Sequence, residues 1–204
     1  MDAQSHWDRI YLQTAPNRVS WYRPHLEPSL ALIEQTGAGP SSSIIDVGAG
    51  ESTLVDDLLA RGYSNLTVLD ISQAAIAATR KRLGKFTNCV QWLIADITQA
   101  ELVVSAYDVW HDRAVFHFLT SAADRKAYIR QVVHSVKRGG HIIISAFGPE
   151  GPKRCSGLKV VRYGADSLHA EFGPNFQLIS SSRQIHETPF GTTQQFLCCH
   201  CVLK

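Results

Sequence analysis

The chain has 204 residues, of which 45% are hydrophobic, and a formal net charge of +2. This length suits a single domain, and so small a charge, without a stripe of Lys and Arg, argues against a nucleic-acid partner. No apolar run approaches the roughly 18 residues of a membrane span and no secretory signal is apparent, so no membrane partner is expected. Five cysteines, an odd number, favour a reducing compartment over a disulfide framework and predict a cytoplasmic protein.

The N-terminal segment, residues 1–40, is predicted to be helical. Apolar residues at roughly helical spacing predict helices over residues 4–14 and 25–36, joined by a loop. Four aromatic residues fall in this segment: Trp7, Tyr11, Trp21 and Tyr22. Aromatic faces exclude water and attract cations, so the segment is interpreted as a lid over a bound ligand, with Trp21 as its best candidate. Two of the four are expected to serve only the core.

Strands and helices alternate through residues 41–147. The pattern predicts strands over 43–47, 66–70, 90–95, 106–111 and 141–147, and helices over 51–61, 72–83 and 122–136. Ser72 is predicted to cap a helix N-terminus, and Gly62 and Gly84 stand where the C′ residues of helices are expected. Repeated strand–helix units of this length predict a parallel sheet with helices on both faces.

The first strand leads into a glycine turn at residues 44–50, Ile-Ile-Asp-Val-Gly-Ala-Gly. Glycine lets the backbone approach a ligand closely, because no Cβ occupies that space. The turn alone is a weak signal, since strand–helix turns of this kind also occur without a ligand. A dinucleotide fingerprint would carry a third glycine where this chain has Thr53, which argues against a nicotinamide-dependent oxidoreductase.

Asp70, at the end of the second predicted strand, follows Gly50 by 20 residues. A nucleotide-binding βαβ unit places there the acid that bonds the ribose hydroxyls. Glu51, at the predicted start of the next helix, adds negative charge where a pyrophosphate would be repelled. The residues therefore predict an adenosine-containing ligand without a pyrophosphate, whose cationic groups Asp46 and Glu51 would attract.

The last third of the chain, residues 148–204, has a different pattern. A loop over 148–164, rich in Gly, Pro and basic residues, precedes a short helix near 165–172. Two strands follow, at about 176–182 and 194–203. The connection between them is too short for a crossover helix, so the two strands should pair antiparallel.

Taken in order along nearly the whole chain, these motifs resemble those of the class I S-adenosylmethionine-dependent methyltransferases. The resemblance implies an α/β fold, with a Rossmann-like seven-stranded sheet, mostly parallel with an antiparallel last strand, and helices on both faces. It also implies a single domain, residues 1–204, comprising a lid segment (1–40), a cofactor-binding core (41–147) and an acceptor-side loop with a C-terminal hairpin (148–204). The opening residues His6, Trp7 and Asp8 are similar to those of a branch of small methyltransferases that includes enzymes methylating thiols, small acids or protein lysines.

The resemblance further implies S-adenosylmethionine as cofactor, bound at the ends of the strands. Asp46 would lie near the methionine end, Asp70 would bond both ribose hydroxyls and Asp96 would meet the adenine amino group. The implied cofactor-binding set is Trp21, Asp46, Gly48, Ala49, Gly50, Asp70, Ile71, Asp96, Ile97 and His111.

Methyl transfer from a sulfonium is an in-line displacement, which needs alignment and exclusion of water rather than a catalytic triad. The candidate catalytic residues, His111, Asp112 and Arg113, lie where the predicted fourth strand leaves the sheet, at the edge where open α/β sheets bind ligands. The histidine side chain has an unperturbed pKa near neutrality, so His111 is a candidate general base. Alternatively, it only bonds the backbone while Asp112 and Arg113 pair as a structural lock. Arg113 is also a candidate partner for a substrate carboxylate.

The cysteines suggest no metal site. Alternate side chains of the run from Cys198 to Cys201 point to opposite faces of a strand, so they cannot surround one ion. Cys155 differs, because it lies in the polar loop that borders the acceptor in the family. The adjacent Lys153 and Arg154 would favour a thiolate there.

The predicted function is methyl transfer from S-adenosylmethionine to a small-molecule acceptor, such as a thiol or a carboxylate. The absence of an appended recognition domain favours a small acceptor. A protein-lysine methyltransferase and a non-catalytic S-adenosylmethionine-binding protein are the alternatives, and the sequence does not indicate the oligomeric state.

Overall fold

Apolar runs rich in β-branched residues form seven strands of one sheet in the computed structural model, which describes residues 2–204. A two-stranded hairpin, β6 and β7, stands apart from that sheet. In chain order the strands are β1 (Ser43–Val47), β2 (Asn65–Asp70), β3 (Val90–Ile94), β4 (Tyr107–Arg113), β5 (Val136–Phe147), β6 (Arg154–Cys155), β7 (Leu158–Lys159), β8 (Phe176–Glu187) and β9 (Thr193–Leu203).

Six α-helices occur between residues 2 and 204, and short 3₁₀ turns lie at Pro16–Arg18, Gly84–Cys89 and Phe116–Phe118. In chain order the helices are α1 (Ala3–Gln13), α2 (Glu27–Gln35), α3 (Leu54–Ala60), α4 (Gln73–Leu83), α5 (Ala122–Ser135) and α6 (Ala165–Phe172). Within the same span, no helix combines the length and the apolar character needed to cross a membrane.

The strand order in the sheet is β3-β2-β1-β4-β5-β9-β8. Neighbouring strands from β3 to β5 are parallel, whereas β9 is antiparallel to both β5 and β8. The predicted mostly parallel sheet with an antiparallel ending is confirmed. The chain crosses from β3 over β2 and β1 to reach β4, so the strand order reverses beside β1. Ligands of open α/β sheets bind outside the carboxyl ends of the strands at such a reversal.

The sheet is covered on both faces, as predicted. Successive side chains of a strand alternate between faces, so Ile44 and Ile45 belong to different core clusters. One cluster joins the sheet to α5 and α6 through residues such as Tyr128 and Leu168. The other joins it to α2, α3 and α4 through residues such as Ile33.

Several predicted boundaries shift in the structure. The helix predicted from residue 51 begins at Leu54, which leaves Glu51 in the turn after β1 rather than at a helix start. Strand β4 runs to Arg113, two residues beyond its predicted end. Strand β5 begins at Val136, directly after α5, and β8 runs to Glu187.

The predicted helix caps are mostly confirmed. The Ser72 hydroxyl accepts a hydrogen bond from the backbone N–H of Ala75 at 3.1 Å. Gly62 follows the C-terminal cap of α3 with φ of +85°. Gly84 is itself the cap of α4 rather than the residue after it.

The N-terminal helix docks onto the start of α4. Asp8 accepts hydrogen bonds from the Ser72 hydroxyl at 2.6 Å and from the backbone N–H of Ala74 at 2.9 Å. An acidic side chain is favourable at a helix N-terminus, because it satisfies an otherwise unpaired N–H. This contact holds α1 over the carboxyl ends of the strands.

Candidate active site

A cavity of about 360 Å³ opens at the carboxyl ends of β1 to β4. Its volume lies within the range typical of small-molecule sites. Among the residues predicted to form a site, Gly50 and Asp112 do not line it. Those that do are Trp21, Asp46, Gly48, Ala49, Asp70, Ile71, Asp96, Ile97, His111 and Arg113.

The glycine turn lies tight against the neighbouring strand. The backbone N–H groups of Gly48 and Ala49 donate to the carbonyl of Leu69 at 2.7 and 3.2 Å. Gly50 has φ of +56°, and a Cβ placed there would collide with the Tyr11 hydroxyl. Glycine is therefore required here for backbone conformation and for the close approach of an N-terminal aromatic side chain.

Asp70 is buried at the end of β2 with both carboxylate oxygens oriented. One accepts from the backbone N–H of Gly50 and the other from that of Ser72, each at 2.7 Å. Burial raises the pKa of Asp70 to about 6, although these two hydrogen bonds lower it. Each oxygen can accept a second hydrogen bond, so the carboxylate can still receive hydroxyl donors from the cavity.

Asp96 lies two residues beyond the end of β3. Its Oδ1 accepts hydrogen bonds from the Thr98 backbone N–H at 2.8 Å and the Thr98 hydroxyl at 2.7 Å. Its Oδ2 accepts none from the residues the structure describes. The backbone N–H of Ala95 donates to the carbonyl of Asp70 at 3.1 Å. Asp70 and Asp96 thus stand at the ends of adjacent strands and line one cavity.

His111 is fully buried between two side chains. Its Nδ1 donates to Asp46 at 2.7 Å, and its Nε2 is hydrogen-bonded to the Ser29 hydroxyl at 2.9 Å. The alternative in which His111 bonds only the backbone is therefore wrong. Asp46 and His111 face each other because they are register partners on β1 and β4.

Asp112 lies away from the cavity, in contrast to its predicted catalytic position. It is fully buried, and its carboxylate accepts from the backbone N–H groups of Val115 and Phe116 and from the Tyr128 hydroxyl at 2.6 Å. Burial raises its pKa to about 6. Because β4 continues to Arg113, strand alternation directs Asp112 to the opposite face from its two neighbours. Its role is to fix the segment that follows β4.

Arg113 lines the cavity and does not pair with Asp112. Its Nη1 donates to the carbonyl of Trp21 at 3.1 Å, and its guanidinium lies 5.0 Å from the ring centre of Phe196. It forms no ion pair with any carboxylate of residues 2–204. The predicted structural lock between Asp112 and Arg113 is wrong.

The N-terminal aromatic residues form a cluster over the cavity. The ring centroid of Trp7 lies 6.0 Å from that of Trp21 and 5.1 Å from that of Phe118, and the Tyr11 and Trp21 centroids are 6.4 Å apart. All four residues line the cavity, whereas Tyr22 does not. The expectation that two of the predicted aromatics serve only the core is wrong.

The hairpin β6–β7 supplies another wall, through Cys155 and Leu158. Cys155 is buried, and burial raises the pKa of its thiol. The thiolate predicted from its basic neighbours is therefore not supported. No group of three or more His, Cys, Asp or Glu that could hold a metal ion occurs among residues 2–204.

Several residues of the site could not be predicted from the sequence. Ser29 contacts His111 across 82 residues of chain, and Phe196 reaches the cavity from β9. Periodicity does not reveal such long-range contacts, because they depend on the strand order. Phe118 and Val115 follow β4, where the short 3₁₀ turn could not be foreseen from spacing.

Comparisons with known proteins point to one kind of domain. Residues 45–142 match a family model described as a methyltransferase domain. The chain is 23% identical over 138 residues to the mouse eEF1A lysine and N-terminal methyltransferase, covering 68% of this chain and 19% of that protein. It is 26% identical over 108 residues to Nodulation protein S of Sinorhizobium fredii, covering 53% of this chain and 49% of that protein. The chain thus spans 19% and 49% of the length of these curated relatives.

Solved structures show the same fold at low sequence identity. The N-methyltransferase NodS of Bradyrhizobium japonicum, solved with S-adenosylhomocysteine, superposes with a TM-score of 0.76 and 16% identity. The match covers 98% of this chain and 97% of that one. The fold is therefore shared along nearly the full chain.

Proposed function

We propose that this chain, a member of the class I S-adenosylmethionine-dependent methyltransferases, transfers a methyl group from S-adenosylmethionine to a small-molecule acceptor. One observation carries the proposal: Asp46, Asp70 and Asp96, from the ends of three adjacent strands, line a single cavity of about 360 Å³. A carboxylate at each strand end suits the ribose, base and ammonium groups of a phosphate-free nucleoside ligand.

The residues present fit this cofactor. Asp70 would accept hydrogen bonds from the ribose hydroxyls, for which its oriented carboxylate keeps free lone pairs. Asp96 would accept from the adenine amino group through Oδ2, and Ile97 would pack on the ring. Gly48, Ala49 and Ile71 supply the remaining walls. When bound, the cofactor supplies an electrophilic methyl carbon on a sulfonium.

The aromatic cluster of Trp7, Tyr11, Trp21 and Phe118 would exclude water from that carbon. Aromatic faces also attract cations, so the cluster suits a sulfonium better than a neutral sulfur. The contact between Asp8 and α4 holds the cluster in place. We infer that residues 1–40 close the site, residues 41–147 bind the cofactor and residues 148–204 border the acceptor.

His111 would position Asp46 rather than abstract a proton. Its Nε2, the nitrogen that would take a proton, is occupied by the Ser29 hydroxyl. Its Nδ1 fixes the Asp46 carboxylate, which lines the cavity where the cofactor's ammonium group would lie. Methyl transfer needs an aligned nucleophile more than a base, because the donor is already activated.

A small acceptor is favoured because the walls of the cavity enclose the strand ends from two sides. The N-terminal cluster covers the cavity on one side, and the hairpin residues Cys155 and Leu158 border it on the other. One relative is named for eEF1A lysine and N-terminal methylation, whereas the other is named only as a nodulation protein. A protein side chain is therefore the alternative acceptor.

The test incubates the purified chain with methyl-labelled S-adenosylmethionine and a panel of thiols, carboxylates and amines, with eEF1A as the protein arm. Label in a small product, absent with an Asp70→Asn variant, is the expected result. Label in eEF1A alone would assign the protein acceptor instead. Binding of S-adenosylhomocysteine without transfer to any member of the panel would favour a non-catalytic binding protein.

A further inference from the structure

One arginine of the cavity lacks the acidic partner that other arginines of the fold have. Arg61, Arg82 and Arg125 pair with Glu34, Asp56 and Glu171 at 3.2, 2.7 and 2.8 Å. Arg113 makes a single hydrogen bond, from Nη1 to the carbonyl of Trp21. Its Nε and Nη2 donate to nothing among residues 2–204, although the side chain is partly buried.

The groups around Arg113 carry charge of both signs: the charge of Arg23 lowers its pKa, whereas that of Asp46 raises it. Arg23 lies close by, and its Nε donates to Nδ1 of His186 at 3.1 Å. The other nitrogen of His186 donates to the Ser20 carbonyl at 2.8 Å, so this imidazole is neutral, and burial lowers its pKa to about 4. Burial, followed by the charge of Arg23, lowers the pKa of Arg113 to about 10, so its guanidinium stays charged at neutral pH.

Arg113 stands on the side of the cavity away from the residues that suit the adenosine. It comes from the end of β4 and is the register partner of Ser145 on β5, whereas Asp70 and Asp96 follow β2 and β3. Strand β1 lies between the two sides. The ring of Phe196 supports the guanidinium at 5.0 Å. We call this region, lined by Arg113, Phe147, Cys155, Leu158 and Phe196, the acceptor side.

We propose that the methyl acceptor carries a carboxylate and that Arg113 binds it through Nε and Nη2. This inference rests on the proposed methyltransferase function and names its substrate class. The free edge of a guanidinium presents two parallel donors that match a carboxylate, and such charge-assisted pairs are strong where water is scarce. The aromatic rings of the acceptor side favour an acid with an apolar or aromatic body.

S-adenosylmethionine also carries a carboxylate, on its methionine end, and that group is the rival occupant. The two sources predict different behaviour. If Arg113 holds the cofactor, replacing Arg113 weakens the binding of S-adenosylhomocysteine. It does not change the binding of methylthioadenosine, which lacks the amino-acid portion. If Arg113 holds the acceptor, both adenosine ligands bind normally to an Arg113 variant.

The experiment measures binding by calorimetry to the chain saturated with S-adenosylhomocysteine. The probes are benzoate, phenylacetate, indole acetate and mercaptoacetate, each paired with its uncharged carboxamide. The proteins are the wild type, Arg113→Gln, Arg113→Lys and the control Arg61→Gln, whose arginine pairs with Glu34 at the surface. Separate titrations with S-adenosylhomocysteine and methylthioadenosine report on the cofactor site.

The expected result is that the wild type and Arg61→Gln bind at least one acid more tightly than its amide, by roughly ten- to hundredfold. Arg113→Gln should lose that preference, and Arg113→Lys should keep only part of it. Both variants should bind the adenosine ligands with unchanged affinity. Loss of S-adenosylhomocysteine affinity alone would overturn the proposal in favour of the cofactor's carboxylate. Absence of any preference for acids in the wild type would also overturn it. Failure of S-adenosylhomocysteine to bind the wild type would refute the proposed function separately.

Discussion

The carboxylate of Asp70 accepts a hydrogen bond from the backbone N–H of Gly50, with 2.7 Å between Oδ2 and N. This bond joins the end of β2 to the turn after β1. A second bond, from the N–H of Ser72 to Oδ1, completes the orientation of the group. The acid predicted to bind the ribose is therefore fixed by the backbone before any ligand arrives.

Replacing Asp70 with Asn should weaken the binding of S-adenosylhomocysteine by roughly ten- to hundredfold, because the ribose hydroxyls lose a charged acceptor. Isothermal titration measures the change. Asp108→Asn is the matched control, since Asp108 pairs with Lys137 at 2.8 Å and does not line the cavity. If Asp70→Asn binds as tightly as the Asp108 variant, the assignment of the ribose acid is wrong.

Gly50→Ala should destabilise the fold more than Gly62→Ala. Both glycines have positive φ, +56° and +85°, so each substitution brings backbone strain of about 1 kcal/mol. A Cβ at Gly62 meets no other atom within 4 Å, whereas one at Gly50 collides with the Tyr11 hydroxyl. Urea unfolding compares the two variants, and equal losses of free energy of unfolding would show that Tyr11 moves aside freely.

Trp21→Leu should lower the affinity for S-adenosylmethionine more than that for S-adenosylhomocysteine. Only the former carries a sulfonium, and an aromatic face contributes about 0.5–1 kcal/mol to binding a nearby cation. The control is Trp92→Leu, because Trp92 bonds the Thr87 carbonyl at 2.9 Å and does not line the cavity. An unchanged ratio of the two affinities would mean that Trp21 contributes packing alone.

His117 should make the fold less stable as the pH falls. Its Nδ1 accepts from the backbone N–H of Phe147, its ring stacks on that residue at 4.3 Å, and burial lowers its pKa to about 3. The ordinary pKa of a histidine is 6.5. Below that pH, His117 binds a proton in the unfolded chain but stays neutral in the folded chain. The free energy of unfolding should then fall by roughly 1.4 kcal/mol per pH unit from this group.

His117→Gln tests this prediction, because glutamine keeps an acceptor and cannot be protonated. Urea unfolding at several pH values between about 6.5 and 4 should give a shallower decline for the variant than for the wild type. The exposed His25 offers a control substitution, His25→Gln. Parallel declines in the wild type and His117→Gln would contradict the account.

The strand-end acids could be predicted from the sequence for a topological reason. Asp46, Asp70 and Asp96 each follow an apolar run, and the carboxyl ends of parallel strands meet at one edge of a sheet. Their shared cavity therefore follows from the strand pattern together with the strand order that the family resemblance implied.

The face on which Asp112 lies could not be predicted in the same way. The pattern ended the fourth strand at residue 111, so Asp112 was interpreted as part of a loop. Two further strand residues place it on the opposite face, where Tyr128 bonds it. Likewise, Ser29 and Phe196 reach the site through contacts between distant segments, which local spacing does not encode.

A crystal structure of the chain with S-adenosylhomocysteine would show directly whether the strand-end acids bind the nucleoside. We expect the ribose hydroxyls within hydrogen-bond distance of the Asp70 carboxylate and the adenine amino group beside Asp96. A nucleoside bound elsewhere, or a cavity between these two acids that stays closed to the ligand, would contradict this expectation.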